Sequence, residues 1–185
     1  MDSRLTPAVA ARALGLVVLG ALTVKLLARG LTYEPGAGLL NLLHLVDLVF
    51  HEAGHVIFGV FGRFIGALGG SLNQVLIPAI CTAVFARQGR TASAAVALFW
   101  VGDNVIDVGI YAADGRGMRL PLLAEGLTHD WNYILSALSL RDAAAPIGRA
   151  IFVAGSLVLL ASLVVLLWDL LRCWSAPAEE PTISV

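Results

Sequence analysis

His51, Glu52 and His55 stand in the run His51-Glu52-Ala53-Gly54-His55, two imidazoles and a carboxylate within little more than one helical turn. Four residues apart on a helix, the two histidines share a face, so both can reach one metal ion. Glu52 is offset by one residue, which sets its carboxylate beside the ion rather than on it. That is the place of a general base acting on zinc-activated water and passing the proton to a leaving amine. One zinc ion is the expected cofactor and hydrolysis the expected chemistry. The surroundings add weight, because His, Glu and His inside an apolar span cost several kcal/mol unless they are partnered.

Two histidines leave a ligand to be found. Asp107, on a later apolar segment, leads slightly, with Asp103 one turn before it on the same face. Asn104, between them, is placed to donate to a substrate carbonyl or developing oxyanion. The rival ligand is His129, which opens an amphipathic segment near 129–140 with Thr128 as its N-cap and Asp130 or Trp131 as an interfacial anchor. Histidine is the better zinc ligand by chemistry, and the aspartates are better placed by depth. Asp47 lies one turn before His51 and is spaced to orient a ligand imidazole. His44, one turn earlier, reads as an interfacial or interhelical polar residue.

These residues need a membrane to hold them. The 185-residue chain is 58% hydrophobic and only 14% charged, with mean hydropathy +0.85, too apolar for the polar surface of a soluble domain. Its 12 basic and 13 acidic residues nearly cancel, so no global charge points to nucleic acid. Cys81 and Cys173 are far apart and outside any CxxC, which fits two inert thiols. About 20 apolar residues cross a bilayer, and five segments come near that length: 7–28, 39–61, 70–87, 91–113 and 147–171. The expected fold is all-α, a polytopic membrane bundle of about five transmembrane helices in one domain over 1–174. A disordered tail is expected over 175–185. Membrane lipid is the expected surroundings, in a bacterial- or archaeal-type cell membrane. If the spans alternate strictly, Arg4, Arg12, Arg63, Arg116, Arg119, Arg141 and Arg149 share one side. Lys25, Arg29, Arg87, Arg90 and Arg172 share the other, which favours a cytoplasmic N-terminus.

Between the second and third segments lies Gly69-Gly70-Ser71-Leu72-Asn73-Gln74. One reading is a short extended or re-entrant edge, in which Gly70 and Asn73 help hold a substrate strand by main-chain hydrogen bonds. The other is a tight interhelical turn followed by a Ser/Asn helix cap.

A hydrophobic helix bearing His-Glu-Ala-Gly-His, with aspartates on a later span, resembles the site-2 protease class of intramembrane metalloproteases, the M50 peptidases. The resemblance covers about residues 39–113. It implies His51 and His55 as zinc ligands, Glu52 as catalytic base and Asp107 or Asp103 as third ligand. It also implies a membrane-protein substrate. The chain departs from that pattern where Val108, not glycine, follows Asp107, and where no Asn-Pro stretch precedes it.

Overall fold

The computed structural model describes residues 6–32, 38–121 and 128–175. Among these residues it is helical, with no strand: α1 Pro7–Arg29, α2 Leu39–Gly59, α3 Arg63–Arg87, α4 Thr91–Asp114, the short α5 Asp130–Ala137, a 3-10 turn Arg141–Ala143 and α6 Ala144–Ser175. All but α5 and the turn are long and apolar enough to cross a membrane, which makes this a multi-pass membrane protein. Large side chains such as Val17, Val24, Val49, Val56 and Val164 point outward, as a lipid-facing surface requires. The tail expected from 175 lies outside the described residues except for Ser175, which ends α6.

The glycine-rich segment is neither an extended edge nor a turn. It lies inside α3, which begins at Arg63 rather than near 70 and runs unbroken through Gly69–Gln74. A backbone in lipid must bond to itself, so glycine there is tolerated in a helix and used for close approach. A side chain on Gly54 would collide with the Gly69 carbonyl of α3, and one on Gly69 would meet Phe58 Cβ at 2.5 Å. The glycines thus let α2 and α3 lie almost backbone to backbone. Asn73 Nδ2 adds a 2.7 Å bond to the Phe50 carbonyl of α2.

A second glycine seam joins α4 to α6. Gly102 and Gly109 face Gly155 and Gly148, both pairs seven residues apart, in antiparallel register. Around it a core of Leu26, Phe99, Ile106, Leu159 and Leu166 collects from α1, α4 and α6.

Arg12 of α1 reaches Asp169 of α6 at 2.6 Å and a side chain on Gly15 would meet Leu166, so α1 runs antiparallel to α6 and hence parallel to α4. α2 is antiparallel to α3, and α3 to α4. α1 and α2 therefore run in the same sense. The strict alternation behind the charge count does not hold, and the count gives no orientation.

An added Cβ at Gly109 would lie 2.7 Å from Phe152 N and 2.9 Å from Gly148 O, both backbone atoms unable to give way. Gly109→Ala is expected to destabilise the detergent-solubilised protein by about 1–3 kcal/mol. Gly20→Ala, where nothing lies within 4 Å, serves as the neutral control in the same thermal unfolding measurement.

Candidate metal centre

The two motif imidazoles are oriented from behind by acceptors on α3. His51 Nδ1 lies 2.6 Å from Gln74 Oε1, and His55 Nδ1 lies 2.8 Å from the Gly66 carbonyl. Carbonyl oxygens only accept, so each Nδ1 carries the proton, and in a neutral ring each Nε2 is left with a bare lone pair. Gly70 makes room for the ring of His51, since a Cβ there would sit 2.5 Å from His51 Nε2.

Both Nε2 atoms face one carboxylate oxygen. Asp130 Oδ2 is 3.1 Å from His51 Nε2 and 3.3 Å from His55 Nε2. Tetrahedral zinc with bonds of about 2.0–2.1 Å sets neighbouring donors about 3.3 Å apart, so the separations match a shared ion. They also match hydrogen bonds from doubly protonated rings. Two bare lone pairs facing a carboxylate oxygen would repel, so the convergence calls either for a metal ion at this point or for protonated rings. One donor atom each of His51, Glu52 and His55 lies within 4.8 Å of the others, which sets the Glu52 carboxylate beside the histidine pair. The donor set of two imidazoles and carboxylates fits zinc.

Asp130 is delivered by α5. His129 caps that helix, its Nδ1 accepting from Asn132 N at 3.3 Å, so the cap is His129 and not Thr128. The far side of the His129 ring faces Asp114 Oδ2 at 3.4 Å, and its plane stacks on Tyr111 with centroids 4.3 Å apart. Both nitrogens are thereby turned away from the two motif histidines. Burial holds the His129 imidazole below its ordinary pKa, against the pull of Asp114. Trp131 Nε1 donates to Ser71 Oγ at 3.1 Å, Asn132 Nδ2 to the Gly115 carbonyl at 2.7 Å, and Arg63 lies over the Tyr133 ring. Locked on these sides, α5 points its first residue between the two histidines. Burial alone would raise the Asp130 carboxyl, but His51 and His55 hold it down to about 2.

Tyr111 completes the support. Its hydroxyl donates to Asp130 Oδ2 at 3.3 Å and accepts from Asp130 N at 3.2 Å. Tyr111 is not among the residues singled out from sequence, and Gln74 figures there only as the end of the Gly69–Gln74 run. A buried amide in an apolar helix was the available signal for Gln74, and the four-residue step from Asp107 the one for Tyr111.

The remaining candidates lie elsewhere. Asp107 Oδ2 pairs with His44 Nδ1 at 3.0 Å. Asp47, buried, accepts from Trp100 Nε1 at 2.6 Å and does not orient a motif histidine. Asn104 is fully buried, donates to the Trp100 carbonyl and does not line the cavity. Asp103 is buried and, like Asn104, absent from the cavity wall. The site opens on a cavity of about 620 Å³ lined by Glu52, Gln74, Tyr111 and Asp130, with apolar walls from Leu45, Leu48, Val108 and Ile110.

No protein-family model matches the chain, and neither a curated protein nor a solved structure matches it.

Asp130→Ala is expected to weaken zinc binding more than about 100-fold, measured by competition with a chromogenic chelator. Tyr111→Phe, which removes an orienting contact, is expected to cost about 10–100-fold. Asp107→Ala should leave zinc stoichiometry at the level of the unsubstituted protein. Loss of zinc in Asp107→Ala with retention in Asp130→Ala would reverse the ligand assignment.

Proposed function

We propose that this protein is a membrane-embedded zinc hydrolase that cleaves a peptide bond in or near a membrane segment of a protein substrate. The observation that carries the hydrolase reading is the pairing of two Nδ1-anchored imidazoles with one Asp130 oxygen at the wall of an open cavity. His51, His55 and Asp130 would hold the ion. Three protein donors with a cavity beside them leave a coordination position for chemistry, whereas a structural zinc site is closed by four.

A zinc ion held there would supply a Lewis acid able to polarise a carbonyl and to acidify water. Glu52, beside the histidine pair, would take up a proton from water and hand it to the departing amine. Gln74 and the Gly66 carbonyl keep the imidazoles in one tautomer and one orientation. Tyr111 fixes the Asp130 carboxylate and places its hydroxyl at the cavity wall. The apolar helices around the site limit bulk water.

The peptide substrate rests on the likeness of the His51–His55 helix to intramembrane metalloproteases. The helical state of Gly69–Gln74 removes one argument for it, the strand-pairing edge. The same observation, with the apolar cavity walls, favours a second reading in which the substrate is a lipid or small amide with few backbone groups to satisfy.

Glu52→Gln is expected to retain zinc and to lose hydrolysis by about 10²–10⁴-fold. Both a panel of membrane-segment peptides and long-chain N-acyl amides should be assayed. Cleavage confined to the acyl amides selects the second reading. A Gln variant as fast as the unsubstituted protein on its best substrate would remove Glu52 from the chemistry.

A further inference from the structure

A second cavity, of about 450 Å³, lies where α4 finishes and α6 begins, and it shares no lining residue with the cavity of the metal centre. Arg116 and Arg119 line it from the turn after α4, and Arg141 and Asp142 from the 3-10 turn. Ala144 and Ala145 of α6 complete that side.

The charges around this cleft do not balance. Three guanidinium groups meet two carboxylates, and both carboxylates are committed or screened. Asp114 accepts the backbone N–H of Arg119 at 3.1 and 2.8 Å and that of Leu120 at 2.9 Å, and it faces His129. Asp142, 91% exposed, meets Arg116 at 3.0 Å in a pair that water screens. Among the described residues, neither the Arg119 nor the Arg141 guanidinium has a hydrogen-bonding or ionic partner. Unpaired guanidinium groups gathered around one cleft favour an anion, and their forked donors match the oxygens of a phosphate.

Depth indicates which phosphate. Residues 150–168 of α6 carry no charge. At 1.5 Å per residue they cover about 28 Å, close to the thickness of a hydrocarbon core. Arg149 marks one end, and Asp169 with Arg172 over the Trp168 ring marks the other. Ala145 lies four residues beyond Arg149, about 6 Å further out and so in the headgroup layer. From Ala145 one face of α6 descends through Arg149 to Val153, Leu157, Leu160 and Val164, in steps of three or four residues. Every one of these side chains is exposed. A basic cleft thus sits at the head of an outward-facing apolar stripe, the outline of a phospholipid.

We propose that Arg116, Arg119 and Arg141 bind the phosphate of an anionic phospholipid whose acyl chains lie along the Ala145–Val164 face of α6. Bound there, the phosphate bridges the two segments that flank α5 in the chain. An anionic headgroup is selected because a choline group would add a cation to a cleft already rich in them. The site does not depend on the chemistry of the metal centre.

The detergent-solubilised full chain is incubated with dioleoyl phosphatidylglycerol or dioleoyl phosphatidylcholine, and lipid retention is read by native mass spectrometry. One phosphatidylglycerol per chain is expected to be held about tenfold more tightly than phosphatidylcholine, the scale of hydrogen bonds to a charged group. Arg119→Gln with Arg141→Gln should abolish that preference. Both side chains are exposed and unpartnered among the described residues, so the fold does not rest on them. Arg87→Gln with Arg90→Gln removes the same charge at the opposite end of α4 and should leave the preference intact. Inorganic phosphate at millimolar concentration should not displace the lipid, because it has no chains to lie on the stripe. Equal retention of the two lipids overturns the site. So does a preference that survives Arg119→Gln with Arg141→Gln, or one that falls equally in Arg87→Gln with Arg90→Gln. Displacement by inorganic phosphate would reduce the cleft to a free-anion site and overturn the lipid assignment.

Discussion

Two imidazoles inside apolar helices each give their Nδ1 proton to an acceptor on α3, and so each turns an Nε2 toward the same Asp130 oxygen. The arrangement is repulsive unless a metal ion occupies the point where they converge or the rings carry a second proton, and the apolar surroundings make the repulsion harder to screen than in water. The other features near the site serve this convergence. Gly66 and Gly70 let α3 approach closely enough for its carbonyl and its backbone to touch the two rings. Gln74 reaches His51 from one turn further along the same helix.

The Asp130 carboxylate arrives differently. α5 has only eight residues, too few to be stable alone, and its position depends on contacts to α3, α4 and the turn after α4. Asp114 binds the backbone N–H groups of Arg119 and Leu120 and faces His129, so it shapes both ends of the connection that returns the chain to the metal centre. The rigid part of the centre thus comes from a glycine-packed helix pair, and the completing carboxylate from a small helix at the bundle's end. Asp130 also sits in the first turn of α5, where a carboxylate is favoured by the helix dipole.

Much of this was legible in the residues. Apolar length alone places five long helices, and the four-residue spacing of His51 and His55 puts both on one face of α2. The meeting of Asp130 with the two histidines was not, because the residues argued for Asp107, Asp103 or His129, and which side chain of a short helix turns inward is a matter of rotation by a single residue. That rotation is set by Ser71, Gly115 and Tyr111, all distant in sequence. Asp107 and Asp103 looked well placed by depth, but depth does not say which way a side chain turns, and Asp107 meets His44 instead. Gly69–Gln74 misled for a related reason. Glycine and asparagine mark turns in water, whereas in an apolar helix pair the same residues permit contact.

The most direct measurement is X-ray absorption at the zinc edge on the purified, detergent-solubilised protein. The account predicts one zinc per chain in a site of four nitrogen and oxygen donors at about 2.0–2.1 Å, with two imidazoles giving outer-shell scattering. It also predicts that this imidazole signal disappears in His51→Ala. A sulfur shell near 2.3 Å, an all-oxygen site, or a spectrum unchanged by His51→Ala would contradict it.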